Sequence, residues 1–370
     1  MNLRTLILLA VGLMLSVAWL VMTRRPAATV GPVRQAADPT PTSNVPTQDP
    51  PRPRLPAPRL AKSYGPAESA TEAPAANPIA KLLSGGGLKL TAEQAEVYLQ
   101  QYKRSAEALL AAARTTGNFG FVREAAEKFP NDARVQLDLA LRGETPEEKR
   151  KALDAFRQLA RDNPLGDYLS ALDHFKSGRT DDGVKDLLQA NSKKKLQDYA
   201  LDHAQNAEEA FLSAGYGALE SKVAGTFGVL LPHMAPLREL AAQMTELQKQ
   251  YVQAGDTTSA QAVGQMGLNL GWQLEGQSGR MLIGELVGMA IEKKFLAAQS
   301  PDAPFGTDGR TVRDRMAEMD AHRQSIRELT PLTDLLARLP EREVIIYFDR
   351  MKLNGELDAL RWLKSKHGSP

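Results

Sequence analysis

Side chains that commonly carry chemistry are few and scattered in this sequence. The chain contains no cysteine, which excludes thiolate metal sites, cysteine nucleophiles and the lipidated cysteine of a lipoprotein. No two of its five histidines have the spacing that places metal ligands on one helix face. We therefore predict no metal and no cofactor, and interpret the histidines as surface or hydrogen-bonded core residues. They are His174, His203, His233, His322 and His367.

Catalytic motifs are also missing. No nucleophile elbow, P-loop or dinucleotide fingerprint occurs, so the common routes to acyl transfer, nucleotide hydrolysis and hydride transfer lack their parts. The acidic pair Asp181 and Asp182 is better explained as charge that complements the dipole at the start of a helix. We predict no catalytic residue and expect no enzyme activity. A site whose carboxylates meet only in three dimensions would escape these motifs, and its signature would be clustered carboxylates with a raised pKa.

Charge gives no sign of a nucleic-acid partner. Lys and Arg total 46 against 44 Asp and Glu, which leaves a formal charge of only +2. The strongest charge run in the body is Lys193, Lys194 and Lys195, and no aromatic residue is interleaved with it to stack on bases. We interpret the run as a solvated turn between helices, with contact to a phosphate-rich surface as the alternative.

An apolar segment near the N-terminus predicts a membrane anchor. Leu6 to Met22 carries no charge, and its 17 residues are at the lower limit for a helix that spans a bilayer. A cleaved signal peptide is the alternative, because Ala18 completes a small-residue cleavage pattern. The apolar run continues for four residues beyond Ala18 and ends near two arginines, which favours an uncleaved signal-anchor over residues 1–25.

The next segment, residues 26–87, predicts a disordered linker. Proline, alanine, threonine and arginine dominate it, and its prolines fix φ and remove backbone donors, so neither helix nor sheet propagates. The stretch from Arg52 to Arg59 superficially looks like a proline-rich ligand or a contact for anionic surfaces, but its composition favours a hydrated tether. We expect the folded body in the periplasm. A cytoplasmic orientation stays open because arginines flank both ends of the span.

From Leu88 onward the spacing of apolar residues predicts an all-α body. These residues recur every three or four positions, with almost no strand-like alternation. Thr91 and Gln94 form a predicted capping box that opens a first helix ending near Gly117. We divide the body into residues 88–215, where a repeat is clearest, and residues 216–370, which continue it in a glycine-rich, more divergent form. The buried face of the first helix is predicted to contain Val97, Leu99, Tyr102, Ala106, Leu109 and Leu110.

A 34-residue spacing indicates repeated helical hairpins. Pro130 and Pro164 lie 34 residues apart, and each follows an alanine by four positions. One predicted helix between them buries Val135, Leu137, Leu139 and Ala140, and a second buries Ala152, Phe156 and Leu159. The next unit has small or apolar residues at its turn and contact positions, which are Ala171, Gly178, Gly183, Leu187 and Ala190. This pattern resembles the tetratricopeptide repeat, with Gly143 to Pro146 in place of the usual tight turn.

Two further hairpins and a glycine-rich stretch follow. The pairs Gly267 with Gly271 and Gly284 with Gly288 have the spacing of close helix contacts in membranes, but Glu285 interrupts an apolar run of only about eleven residues, which favours packing between water-soluble helices. Strand formers are abundant from Val344 to Phe348, yet the helical period predicts a buried helix there. The third hairpin contains Leu247, Tyr251, Gly255, Ala260, Gly264 and Gly267. The fourth contains Tyr347, Gly355, Leu360 and Leu363.

The resemblance implies a helical solenoid whose concave groove holds a peptide or a partner helix. The leading hypothesis is therefore a membrane-tethered scaffold that recruits a protein or peptide partner of unknown identity at the bacterial cell envelope, without chemistry of its own. The alternatives are a hydrolase-like envelope enzyme and a purely structural oligomerising spacer. Four tyrosines could line such a groove, although their helical spacing favours core positions. They are Tyr168, Tyr199, Tyr216 and Tyr251.

Overall fold

The computed structural model describes residues 88–228, 231–277 and 281–368. Within these ranges the chain is all α, with 15 α-helices, one 3-10 helix and a single isolated bridge between Pro304 and Thr311 as its only strand-like pairing. The predicted anchor, residues 1–25, and the predicted linker, residues 26–87, lie outside the described residues. Among the helices that are described, none combines the length and the apolar character needed to cross a bilayer.

The helices follow one another with short connections. The first eight are α1 (Ala92–Gln101), α2 (Ala106–Thr116), α3 (Gly120–Lys128), α4 (Ala133–Arg142), α5 (Pro146–Leu159), α6 (Leu165–Lys176), α7 (Thr180–Ser192) and α8 (Ala200–Ser213). The remaining seven are α9 (Ala218–Phe227), α10 (Met234–Gln253), α11 (Thr257–Gln277), α12 (Leu282–Leu296), α13 (Val312–Leu329), α14 (Glu341–Asn354) and α15 (Glu356–His367). The 3-10 helix, Thr330–Ala337, joins α13 to α14.

The prediction of one helix from Thr91 to Gly117 is wrong. The Thr91 and Gln94 capping box is present, and Gly117, with φ of 79°, ends the segment. Between them, however, Lys103 and Arg104 adopt left-handed φ values of 53° and 47° and separate α1 from α2. Such values are uncommon for residues with a Cβ and persist only where the surroundings hold them.

The side chain of Arg104 holds this break in place. Its guanidinium donates to Glu96 in α1 at 2.7 Å and to Glu124 in α3 at 2.6 Å. Ser105 then caps α2 by accepting a hydrogen bond from the Ala108 amide. Val97, which is 61% exposed, and Tyr102, which is 37% exposed, face solvent, contrary to the predicted buried face.

The hairpins α4/α5 and α6/α7 form where the repeat predicted them. Gly178 makes the turn between α6 and α7 with φ of 72°. A Cβ on Gly183 would lie 2.6 Å from the Phe175 ring, so glycine lets α7 approach α6 closely. Leu187 and Ala190 are fully buried as predicted, whereas Leu159 is 39% exposed and was wrongly placed in the core.

The two later hairpins are also observed. Gly255, with φ of 77°, makes the turn between α10 and α11, and Gly355, with φ of 101°, separates α14 from α15. The Val344 to Phe348 segment is helical, and Val344, Tyr347 and Phe348 are buried. The architecture is therefore compatible with a helical-repeat fold.

The order of the hairpins is interrupted in the middle of the chain. Helix α10 packs against α6, and α11 contacts α7, so these hairpins are neighbours although α8 and α9 separate them in sequence. The α8/α9 hairpin instead packs on α2, and α14 packs on α9. Every residue from Leu165 to Leu172 is buried, so all faces of α6 are covered over two turns. In an open solenoid, the first helix of each hairpin faces the groove that binds a ligand. At α6 this face is covered by the rest of the fold.

Glycines allow the closest helix crossing, between α11 and α12. A Cβ on Gly271 would lie 3.0 Å from the Gly288 carbonyl oxygen, and one on Gly288 would lie 2.6 Å from the Gly271 carbonyl oxygen. A Cβ on Gly267 would lie 2.3 Å from the ring of Phe295. These contacts confirm the prediction that the glycine spacing serves tight packing between helices.

We predict opposite effects for two alanine substitutions at this hairpin. Gly288→Ala should lower the free energy of unfolding by about 1–3 kcal/mol, because its Cβ meets backbone that cannot retreat. Gly276→Ala, in α11 with no atom within 4 Å of the added Cβ, should raise it by about 0.5–1 kcal/mol through helix propensity. Urea unfolding followed by circular dichroism measures both values. Equal shifts for the two variants would contradict the close crossing.

Candidate functional site

Charged side chains in the interior of the described chain join different helices. Arg114 of α2 donates to Asp138 of α4 at 2.7 Å. Glu208 of α8 accepts from Lys222 of α9, at 2.9 Å, and from Lys352 of α14. Removing such a group leaves its partner desolvated and uncompensated, so these pairs stabilise one particular arrangement of helices. Two further places have the chemistry of a candidate site.

The first place is the carboxylate cluster, formed by Glu275 of α11, Glu292 of α12 and Arg315 of α13. The Arg315 guanidinium binds Glu292 through two hydrogen bonds, at 2.8 and 2.7 Å, and donates to Glu275 at 3.2 Å. The Glu292 side chain is fully buried, and Glu275 keeps 20% of its side chain exposed. A guanidinium that donates two hydrogen bonds to one carboxylate makes a strong, charge-assisted contact with it.

The glycine crossing creates this cluster. Each glutamate stands one helical turn after a crossing glycine, Glu275 after Gly271 and Glu292 after Gly288. The missing Cβ of each glycine leaves room for the opposite glutamate, since a Cβ on Gly288 would lie 2.7 Å from the Glu275 Cγ. The antiparallel pairing of two Gly-x-x-x-Glu segments therefore brings both carboxyl groups to one point.

The two carboxyl groups have different pKa values. Burial, together with a hydrogen bond to Glu292 and the charge of Glu292, raises the pKa of Glu275 to about 8. Burial acts in the same direction on Glu292, but hydrogen bonds from Arg315, Glu275 and Trp272 outweigh it and lower the pKa of Glu292. Glu275 is thus the protonated partner near neutral pH and Glu292 the ionised one.

An aromatic pair borders the carboxylate cluster. Trp272 precedes Glu275 by one turn of α11 and is 38% exposed. Its ring contacts Phe305 edge to face, with centroids 6.0 Å apart. On the other side, Arg315 also donates to Glu318 at 3.1 Å. The cluster is therefore reachable from solvent at Glu275 and covered elsewhere.

This geometry bears on the enzyme alternative. A protonated acid beside a carboxylate is the pairing used in glycoside hydrolysis, but those carboxyl groups stand roughly 5 to 9.5 Å apart so that substrate fits between them. The carboxyl groups of Glu275 and Glu292 are in hydrogen-bond contact with each other, and the Arg315 guanidinium is bound to the Glu292 carboxylate. The cluster as observed has the geometry of a structural link between three helices.

We predict that Arg315→Met lowers the free energy of unfolding by about 3 kcal/mol or more, because it leaves the buried Glu292 charge uncompensated. The matched control is Arg313→Met, two residues earlier on α13. Arg313 is 65% exposed and pairs with Asp302, which is 78% exposed, so its loss should change stability by less than about 0.5 kcal/mol. Similar losses in both variants, measured by urea unfolding, would show that the cluster is not a buried link.

The structure places four of the five histidines beside acids, in pairs that no sequence motif marks. His322 lies 2.6 Å from Glu285 and His367 lies 2.6 Å from Glu343, both between helices. The pairs His174 with Asp186, at 3.3 Å, and His233 with Asp198, at 3.4 Å, are buried. His203 is buried, and burial lowers its pKa well below the usual value. No group of three or more metal-binding side chains occurs in the described part of the chain.

The prediction that Lys193 to Lys195 form a solvated turn is wrong for the first lysine. Lys193 ends α7 and donates to Asp167 of α6, which is 1% exposed. Arg157 of α5 donates to the other oxygen of Asp167, at 3.0 Å, and also to Asp186 of α7. The aspartate therefore ties three consecutive elements together. Lys194 and Lys195 are exposed as predicted.

We predict that neighbouring lysines respond differently to neutralisation. Lys193→Met should lower the free energy of unfolding by about 2 kcal/mol, because buried Asp167 loses one of its two cations. Lys194→Met, at an exposed position, should change it by less than about 0.5 kcal/mol. Thermal unfolding of the two variants beside the parent chain gives the comparison. A null result for Lys193→Met would mean that the lysine run is solvated throughout.

The tyrosines do not assemble into one groove. Tyr168 is fully buried in α6. The other three are partly buried against hydrophobic core: Tyr199 and Tyr251 against the main cluster and Tyr216 against the N-terminal one. Core positions, the interpretation favoured by their spacing, account for them.

The second place is the α5 groove, an open depression of about 740 Å³ on the outer face of α5. Arg150 in its lining donates to Asp154 at 3.1 Å and to Asp173 of α6 at 2.9 Å. The polar face of α5 supplies this lining because Leu153 and Phe156 occupy the opposite, buried face. The groove is lined by Pro146, Glu147, Arg150, Lys151, Asp154, Ala155, Gln158 and Asp173.

Sequence analysis missed both places for physical reasons. The polar face of α5 has the composition of any solvated helix face, and only the approach of Asp173 turns it into a groove. The glycine spacing in α11 and α12 was a usable signal for the carboxylate cluster. The glycine spacing by itself indicates only close packing, and the glutamate one turn after each glycine is what adds the carboxyl groups to the crossing.

No protein-family model, no curated protein and no solved structure matches this chain significantly. The resemblance to tetratricopeptide repeats therefore rests on the residue spacing and is compatible with the helical architecture.

Proposed function

We propose that this chain is a membrane-tethered helical-repeat scaffold that binds a protein or peptide partner at the bacterial cell envelope, with no chemistry of its own. The helical hairpins at the predicted positions support a degenerate, tetratricopeptide-like repeat. The buried charged groups also support a scaffold, because most of them form salt bridges between helices. A binding scaffold needs such a fixed frame and an exposed surface for its partner.

The α5 groove is the observation that carries this proposal. Its walls combine the apolar Pro146 and Ala155 with charges of both signs. Arg150 is held by two carboxylates, which leaves Glu147 and Lys151 at the rim to contact a partner. An open, charged depression suits an extended polar segment of another chain better than a small molecule, which binds in enclosed and mostly apolar pockets.

The tether is inferred from sequence. We infer that Leu6 to Met22 anchors the chain and that the proline-rich stretch from residue 26 to residue 78 separates the body from the bilayer. A polyproline-like chain rises about 3.1 Å per residue, so this stretch would reach on the order of 160 Å when extended. The α5 groove would then be presented to partners well away from the membrane surface.

An envelope enzyme is the second candidate, and the carboxylate cluster is the observation that favours it. Glu275 is an acid with a raised pKa that is partly reachable by solvent, which is the signature expected of a hidden catalytic site. Two contacts weigh against an enzyme function. A substrate would have to separate Glu275 from Glu292 and displace the Arg315 guanidinium from Glu275. We therefore rank this function below partner binding.

We predict that a photoreactive amino acid in place of Lys151 crosslinks the membrane-anchored, full-length chain to a discrete partner in cells. Lys249 on α10, whose side chain is 64% exposed and does not line the α5 groove, is the matched control position and should give no product. Mass analysis of the crosslinked species reads out the result.

A second substitution separates specific from random contact. Arg150→Ala removes the lining side chain that links Asp154 and Asp173 and should reduce the Lys151 crosslink about tenfold, the effect of one interface residue worth about 1.4 kcal/mol. Equal crosslinking from both lysine positions, or a Lys151 product that Arg150→Ala leaves unchanged, would refute the groove as the binding surface.

A further inference from the structure

The carboxylate cluster contains more negative charge than its arginine can balance. Glu275 and Glu292 both receive hydrogen bonds from one guanidinium, that of Arg315. Arg315 also serves Glu318, which in turn receives a hydrogen bond from Arg310 at 3.1 Å. Arg310 is also paired with Asp308, at 2.6 Å. If every group were ionised, four carboxylates would face two guanidinium groups, and part of the excess negative charge would lie beside the fully buried Glu292.

The helix crossing brings the two carboxyl groups together. The backbones of α11 and α12 are at the limit of contact at Gly271 and Gly288, so the glutamates one turn later meet at one point. The Glu275 Oε1 atom is buried and receives no hydrogen bond. Its neighbour Glu292, when ionised, offers only acceptors. A proton between the two carboxyl groups forms a hydrogen bond that the Glu275 Oε1 atom and the Glu292 carboxylate share. It also removes the excess negative charge.

We propose that Glu275 and Glu292 share one proton, and that release of this proton to solvent loosens the packing of α13 against the α11/α12 hairpin. In the protonated state the cluster is neutral and Arg315 binds both carboxyl groups. In the deprotonated state two carboxylates in contact repel each other. The repulsion acts on the joint between three helices, so the cluster is a pH-sensitive element of the fold.

The direction of the effect follows from the pKa of Glu275. Burial and the neighbouring Glu292 raise this pKa from 4.5 to about 8 in the folded chain. Between these two pH values the folded state binds more protons than the unfolded state. The stabilisation is therefore fully present below pH 4.5 and is lost as the pH rises through about 8.

Other charged groups also face this joint. Lys293 of α12 donates to Asp320 of α13 at 2.6 Å, near the surface, and Arg323 of α13 lies 3.7 Å from the same aspartate. His322 of α13 faces Glu285 of α12. Glu356 of α15 accepts a hydrogen bond from the Leu282 amide at the start of α12, and burial raises its pKa. The carboxylate cluster differs because two carboxyl groups compete for one guanidinium.

Trp272 provides an optical test. The full-length chain carrying Trp19→Phe and Trp362→Phe retains Trp272 as its only tryptophan. Because Trp272 borders the carboxylate cluster, one turn before Glu275 on α11, its emission should change in a one-proton transition with a midpoint near pH 8. Adding Glu275→Gln, which keeps the side-chain size but removes the titratable carboxyl group, should abolish this transition between pH 6 and 9. The same transition in both chains, or none in the parent, would overturn the proposal.

Two further measurements keep the test decisive. Glu318→Gln leaves both inner carboxyl groups in place, so the transition should persist. In the unsubstituted chain, amide hydrogen exchange of residues 312–329, corrected for intrinsic rates, should accelerate about tenfold between pH 7 and pH 9, while residues 165–176 stay unchanged. Uniform behaviour of the two segments would contradict the switch even if Glu275→Gln does not fold.

Discussion

The backbone contact between α11 and α12 is the constraint on which the C-terminal half of the fold depends. Gly271 and Gly288 bring the two helices so close that no side chain fits between them. The same contact places Glu275 and Glu292 together, and their combined charge binds Arg315 of α13. Helix α13 in turn contacts the 3-10 helix and α15, and α14 returns to α9. A single close crossing thus helps to position the four elements that follow it, α13, the 3-10 helix, α14 and α15.

Buried ion pairs select one helix-packing register among those that the hydrophobic core alone would allow. Helices made of leucine and alanine can pack in several registers, whereas a buried carboxylate accepts only arrangements that supply its cations. Asp167 joins α5, α6 and the end of α7, and Glu208 joins α8, α9 and α14. These groups are occupied with the fold itself. The α5 groove, which lies outside this network, is therefore the surface that we assign to a partner.

The hairpins could be predicted from sequence because local chemistry marks them. Gly178 and Gly255 adopt left-handed turns that other residues avoid, and Gly183 fits beneath an aromatic ring. The break before α2 could not be predicted, since Arg104 is held by Glu124, twenty positions away. The α5 groove likewise depends on Asp173 from the next helix. Patterns within one element reveal that element, and contacts between elements appear only in the folded chain.

The most direct test of this account is a double-substitution cycle between the crossing and the cluster. Gly288→Ala and Arg315→Met are measured singly and together by urea unfolding. If the crossing positions the carboxylates for Arg315, the second substitution should cost less once the first is present, with a coupling free energy of about 0.5–3 kcal/mol. Two effects that add within about 0.3 kcal/mol would show that crossing and cluster are independent, and would contradict the account.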